Sequence, residues 1–459
     1  MSRHRRTSGI RITAVGVLLL VFLAVPGRPA SGDALQSRLV ADGGLPGDGF
    51  ASAGAISGSW AIVGAYYDAN DNGGNAGAAY LYQRSNADWT QQAKLISTGG
   101  DADGFFALSV SMDGAYAIAG APYDDVAMTY PGGGSSWSRD AGTVRILTRT
   151  GSTWTETARL TAPDPFGESH FGWGVSISGD WAIVGARDAD YFTSGAGAAY
   201  VFHRDGEDWN FVVKLAEPVG GANNSFGASV EIRGDYAIVG ATWGEGAAVD
   251  SGAAYVFHRN GANWVLQGKL WTSDGSDGDR FGATVAVDGE WAAVGAYGDD
   301  DNGSNSGSVY LFRRDGISWA KWATLTPPDA AAGDWFGRHV TLEGNWLAVG
   351  APYADGAELN SGLVYLYRLD ADEDEWDLFG TIDSPYLQAN GQFGRLVSLD
   401  GYSLLIGASG ERAAYVYVIP EPGTGLLLGC AGVLLVAAAR RGRTERRQLP
   451  GRRRGPSQM

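Results

Sequence analysis

FGASVEIRGDYAIVGA (226–241) opens on a phenylalanine, runs through two apolar stretches parted by the tight turn Arg233-Gly234-Asp235, and closes on Gly-Ala. Val, Ile and Tyr on either side of a Gly-Asp turn describe a hairpin. The same frame recurs seven times, each phenylalanine followed 14 residues later by a glycine: Phe50 and Gly64, Phe106 and Gly120, Phe171 and Gly185, Phe226 and Gly240, Phe281 and Gly295, Phe336 and Gly350, Phe393 and Gly407. Successive phenylalanines lie 56, 65, 55, 55, 55 and 57 residues apart. That period is too long for a helical solenoid and suits a four-stranded propeller blade.

Each copy supplies four strands, in the fourth copy FGASVEI (226–232), DYAIVGA (235–241), GAAYVFH (252–258) and the segment 264–270. Segments such as WAIVGA (181–186) are apolar on both faces, as a blade sandwiched between two neighbours requires. The seventh copy ends at AAYVYV (413–418) without a fourth strand, while LQSRLVADGG (35–44) resembles QQAKLISTGG (91–100), the fourth strand of the first copy. The expected fold is therefore all-β, a seven-bladed β-propeller of four-stranded antiparallel blades closed by an N-terminal strand, which removes a sheet edge. The recurrent Trp89, Trp154, Trp209, Trp264, Trp319 and Trp376 occupy equivalent strand positions and are expected in packing.

Residues 1–32 have the form of a signal peptide: Arg3, Arg5, Arg6 and Arg11, an apolar run 12–25, and the small residues Ala30-Ser31-Gly32. Export is the expectation. The only cysteine, Cys430, lies outside the repeats, so no disulfide can hold the ring, which spans 33–419. The ring carries 21 basic and 49 acidic residues, a net charge of −28. Such a surface repels nucleic acid and anionic membranes; it suits cations or basic partners, or serves solubility alone.

IPEPGTG (419–425) is followed by the apolar run 425–439 and the basic cluster Arg440, Arg441, Arg443, Arg446 and Arg447. As a helix the 15 apolar residues span about 22 Å, short of a hydrocarbon core of about 30 Å, so a permanent anchor is marginal. The segment 420–447 resembles the PEP-CTERM sorting signal of Gram-negative bacteria that make extracellular polysaccharide, with Pro420, Glu421 and Pro422 matching its motif. The resemblance implies an exosortase as processing partner, transient membrane association, and release or attachment at the cell surface or matrix. The basic tail 448–459 departs from the usual ending. An ordinary single-span tail is the alternative.

The repeats resemble the FG-GAP family, known from integrin α-subunit propellers and bacterial surface proteins. FGASVEIRGDYAIVGA (226–241) and FGWGVSISGDWAIVGA (171–186) carry the match, and APYDD (121–125) and APYAD (351–355) keep the family's proline. In calcium-binding members an Asp-rich loop joins the first and second strands. Here that connection is a tight turn, as in SGDW (178–181), so those sites do not carry over.

The long polar loops, 66–77, 122–142, 297–307 and 352–362, all join second strands to third strands and therefore share one face, the expected interaction surface. Asp68, Asn70 and Asn72 before Gly73 resemble the opening of a calcium loop, and Asp299 and Asp301 before Gly303 are a thinner version; the same residues are also ordinary turn formers. The enlarged second-blade loop adds Tyr130, Trp137 and Arg139, which can stack on sugar rings or anchor a protein, or mark an idle insertion. The Arg233-Gly234-Asp235 tripeptide sits in a structural turn. No HExxH, GxSxG or P-loop pattern is present. The expectation is a monomeric, non-enzymatic surface propeller binding polysaccharide or another surface protein. A polysaccharide hydrolase or lyase with a carboxylate pair in the channel, and a purely structural matrix component, are the alternatives.

Overall fold

The computed structural model describes residues 35–420 apart from 87, 130–134, 191–192, 219–220 and 371. Its regular elements are thirty strands, of which twenty-eight form seven four-stranded antiparallel sheets and two a separate hairpin; no helix occurs among the described residues. The first blade runs Phe50–Ser57, Trp60–Ala65, Ala78–Ser85 and Asp88–Ile96. The first strand of each blade contacts the first strands of both neighbours, so these seven strands close a ring around a central channel.

The phenylalanine and glycine of the repeat meet across the blade boundary. A Cβ on Gly240 would lie 2.0 Å from the carbonyl oxygen of Gly282, the residue after the next blade's phenylalanine, and one on Gly350 would lie 1.9 Å from that of Gly394. Only glycine permits this approach. The wrap-around contact obeys the same rule, with Gly407 of the seventh blade against Ala51 of the first. Each phenylalanine is buried between blades, and all but Phe106 pack on a third-strand tyrosine, edge-on where Phe336 meets Tyr365 at 5.2 Å between centroids and tilted where Phe281 meets Tyr310 at 5.4 Å. The tryptophans act as mortar: Trp154 packs on Trp60, Trp264 on Trp181, and Trp376 on Trp291, always across neighbouring blades.

The seventh blade holds Phe393–Asp400, Ser403–Ala408 and Ala413–Val418, and its outer strand is Leu35–Leu39, antiparallel to Ala413–Val418 with Leu39 opposite Ala414. The expected N-terminal clasp is therefore present.

The third-strand tyrosines also explain part of the ring's acidity. Tyr80 donates to Asp68 (2.9 Å) and Tyr310 to Asp299 (2.7 Å), acids four residues beyond the repeat glycine. In the third and sixth blades alanine stands at that place, and Tyr200 and Tyr365 donate instead to Asp164 and Asp329 from the loops between blades, each at 2.9 Å. The fourth blade has Gly244 there and pairs Tyr255 with Glu217. A buried hydroxyl needs an acceptor, and one or other of two loop systems supplies it in each of these blades. Burial, and then the adjacent carboxylate, raise the pKa of Tyr80 and Tyr310.

Candidate functional site at the loop-face mouth of the channel

The channel encloses a cavity of about 520 Å³, within the range of about 300–1,000 Å³ usual for small-ligand sites. Its wall is built from the first strands, and its loop-face mouth from the residues that flank the repeat phenylalanines and follow the repeat glycines. On one side Tyr66, Tyr67, Phe105, Tyr123 and Trp173 form an aromatic arc, with Tyr67 to Phe105 at 5.4 Å and Phe105 to Tyr123 at 4.9 Å, both edge-to-face. His170 continues the arc, 4.5 Å from Tyr123, and its Nδ1 bonds Asp188 at 2.8 Å. Arg187 lies over Trp173 at 3.3 Å and is neutralised by the same Asp188.

The other side is cationic. Arg338 and Arg395 line the cavity with His339, and Arg280 stands beside them between Trp243 and Tyr297, 5.0 Å from each ring. Arg338 lies 5.2 Å over Tyr297, which contacts Trp335, which in turn contacts Tyr353. Arg280 donates to the Tyr297 hydroxyl. Among the described residues none of these three arginines forms an ion pair, and the Nε of Arg338 is buried without a hydrogen-bond partner. Burial, followed by the charge of Arg395, pushes Arg338 down to about 10, so it remains charged at neutral pH. Cation–π contact holds the guanidinium groups of Arg280 and Arg338 in place without cancelling their charge.

Backbone conformation marks the same positions. The residue before the repeat phenylalanine has positive φ in every blade: Phe105, His170, Ser225, Arg280, Trp335 and Gln392 lie between 53° and 60°, and only the first blade places a glycine, Gly49, there. A bulky residue in the left-handed region costs roughly 1 kcal/mol or more. Glycine would fit all seven places, yet six hold a side chain: Phe105 lines the cavity, and His170, Arg280, Trp335 and Gln392 contact the tyrosines around its mouth.

The opposite mouth is a ring of bonds between blades. Gly114, Gly179, Gly344 and Gly58 donate their N–H groups to Ser57, Asp113, Asp288 and Asp400 of the preceding blades. Higher in the channel Ser111, Ser176, Thr341 and Ser398 accept from the next first strand, and Glu231 takes that place in the fourth blade, accepting from Val287 N–H at 2.6 Å. Glu343 pairs with Arg233, which also pairs with Asp288, while Asp235 is engaged by Arg259. The Arg-Gly-Asp turn is thus tied into ion pairs at both ends.

Two channel groups couple stability to pH with opposite signs. His339 is pushed down to about 4 by burial and then by Arg338 and Arg395. It contributes stability present above its unfolded pKa of 6.5 and lost as the pH falls toward 4. Glu231 is pushed up to about 7 by burial, so its contribution is full below 4.5 and lost as the pH rises through 7. In thermal melts between pH 6.5 and 4, a His339→Gln variant is expected to lose less melting temperature than wild type, and Glu231→Gln to lose more. Parallel curves for all three proteins would refute the assignment.

The residues singled out in the sequence fall in different places. Asp68 and Asp299 are buried acceptors for Tyr80 and Tyr310, and Asp68 also pairs with Lys94 at 2.8 Å. Asn70 and Asn72 donate their side-chain amides to Gly77 and Ser97 carbonyls, and Asp301 gives its backbone N–H to Asp299. Among the described residues no group of three or more His, Cys, Asp or Glu is arranged to hold a metal. Trp137 sits on the extra hairpin, Val126–Thr129 with Ser135–Ser138, and is 70% exposed. Arg139 follows it, paired with Asp140, and its carbonyl accepts from Glu168 two residues before His170. Tyr130 lies outside the described residues, as do Glu421, Pro422, the apolar run 425–439, the basic tail and residues 1–32; Pro420 is the last described residue and is exposed.

The mouth was missed by motif reasoning because its members stand about 55 residues apart. A signal was nevertheless present. At the residue before the phenylalanine the seven copies read Gly49, Phe105, His170, Ser225, Arg280, Trp335 and Gln392, no two alike, and at the second residue after it Ser52, Leu108, Trp173, Ala228, Ala283, Arg338 and Arg395, in a frame whose phenylalanine and glycine never change.

A solved structure described as a "putative 6-phosphogluconolactonase" from Bacteroides uniformis is similar to this chain at 11% identity and a TM-score of 0.48, over 75% of this chain and 88% of that one, a likeness too slight to carry an inference. No curated protein matches the chain in sequence. A family model described as the FG-GAP repeat matches residues 34–82, 89–136, 154–202, 209–257, 264–312 and 319–367, and thus more than half of the sequence. Together with the seven closed blades, these six matches establish that the chain belongs to the FG-GAP repeat family.

Proposed function

We propose that this chain is an exported propeller of the bacterial cell surface or extracellular matrix that binds polysaccharide or a surface protein through its loop face. The observation that carries the reading is the mouth: the phenylalanines and glycines of the frame are constant, and two positions that vary from blade to blade, before and just after the phenylalanine, meet there as aromatic rings and unpaired arginines. A rigid ring presenting variable side chains at one opening is a binding architecture. The signal-peptide pattern of residues 1–32 and the Pro420-Glu421-Pro422 tail support export and exosortase processing. Calcium on the first polar loop would compete with Lys94 for Asp68, so binding in this reading does not rest on it.

Co-sedimentation of the ring with the producing cell's own surface polysaccharide tests the reading. Trp335→Ala together with Tyr353→Ala should weaken retention by tenfold or more, the usual scale for aromatic anchors. Unchanged retention would move the binding surface elsewhere, with Trp137 the next residue to test.

A second reading has one observation in its favour: Glu231, held near neutrality, shares the channel with Glu343. As a hydrolase the protein would release reducing ends from the same polysaccharide, and Glu231→Gln would abolish that release.

A further inference from the structure

We infer that the loop-face mouth takes a single acidic sugar, its carboxylate or sulfate ester held by Arg338 and Arg395 with Arg280 behind them, and its ring face laid on the neighbouring aromatics. The inference rests on the polysaccharide half of the reading above and names the ligand chemistry.

The charge arrangement carries it. A ring with 49 acidic residues has carboxylates to spare, yet none pairs with these three arginines among the described residues. Elsewhere on the ring Arg204, Arg259, Arg313 and Arg145 are each paired with one or more carboxylates, and the arginines there that form no ion pair among the described residues, such as Arg84, Arg149, Arg314 and Arg368, stand singly on different blades rather than together at one cavity. Two like charges in one cavity, with Arg280 close beside them, raise the free energy of the empty site, which an entering anion relieves. Arginine presents a planar fork that matches carboxylate and sulfate oxygens bidentately. Trp335 packs between Tyr297 and Tyr353 next to these arginines, and Trp335 and Tyr353, both partly exposed, offer flat apolar faces of the kind that stack on sugar rings.

The same charges set the number of anionic groups. Outside the mouth the ring is strongly acidic, and at physiological salt its field reaches about 8 Å. A densely charged polyanion would meet that field along its whole length. An isolated acid, such as a terminal uronic acid or one sulfated residue on a neutral chain, reaches the arginines and avoids most of the repulsion.

Calorimetric titration of the intact protein with matched trisaccharides, ending in glucose, glucuronic acid or glucose 6-sulfate, and with heparin provides the test. At least one acidic trisaccharide is expected to bind tenfold or more tightly than the neutral one, and the tighter of the two names the anion. Arg338→Met and Arg395→Met should each abolish that preference, with melting temperatures equal to or above wild type because a repelled cation is removed. Equal affinity for neutral and acidic sugars, or a preference kept in both variants, would overturn the inference and leave polysaccharide binding intact. Binding to none of the trisaccharides would overturn it together with the polysaccharide reading, leaving a protein partner. Heparin binding tighter than either acidic trisaccharide would overturn the single-acid assignment.

Discussion

Deleting residues 35–44 is expected to unfold the ring or bring it close to unfolding at ambient temperature. Strand Leu35–Leu39 completes the seventh blade, and Leu39, 1% exposed, packs with Phe50, Tyr82 and Trp89 of the first blade as well as with Leu405 and Val416 of the seventh. Burying that leucine is worth about 2–3 kcal/mol. The lost ladder to Ala413–Val418 adds roughly 1 kcal/mol per hydrogen bond. The segment also staples the blades directly: Tyr82 donates to the Val40 carbonyl at 2.7 Å, and the Asp42 N–H donates to Gln91 at 2.8 Å. The total is on the order of 5 kcal/mol, comparable with the whole stability of many domains. Urea unfolding of the deletion variant beside Leu39→Ala, for which a loss of about 2–5 kcal/mol is expected, checks the claim. A deletion variant as stable as wild type would mean that the ring does not depend on its clasp.

The fold was legible because the repeat signal has a single mechanical cause. Phenylalanine and glycine recur at a fixed offset since one plugs the gap between blades and the other lets the next blade's backbone approach, and neither can change without moving a blade. The tryptophans were legible for the same reason. Asp68 and Asp299 were harder, because an acid, an asparagine and a glycine in a loop look alike whether they hold a cation or a tyrosine hydroxyl. Tyr80 and Tyr310 lie on another strand, and only their spatial approach separates the two roles. The mouth was harder still: Arg280, Arg338 and Arg395 belong to three blades and share no local motif. Comparing the chain with itself, position by position through the frame, is what exposes them.

The repeat also has one internal exception on its third strand. Where six blades place a tyrosine on the third strand, the second blade has Arg145, and it is fully buried. Its Nη2 pairs with Asp124 at 2.9 Å and its Nε with Glu156 at 3.3 Å, while Thr143 donates its hydroxyl to Asp124 at 2.6 Å. Burial lowers the arginine's pKa, and the carboxylates of Asp124 and Glu156 oppose that shift. Asp124→Ala would leave an interior cation with only the more distant Glu156, at an expected cost of about 3–5 kcal/mol. Arg145→Tyr should behave quite differently. It restores the residue of the other blades and leaves Asp124 as acceptor, the geometry already present in Tyr80 with Asp68 and Tyr310 with Asp299. Replacing a buried ion pair by a well-packed neutral group is often neutral or stabilising, so this variant should melt within a few degrees of wild type or above it. Denaturant curves of the two variants decide the matter, since both remove the same ion pair. Equal large losses would mean that the salt bridge itself holds the second blade, whereas loss in Asp124→Ala alone would show that the ring requires only a satisfied acceptor at this position, whichever donor fills it.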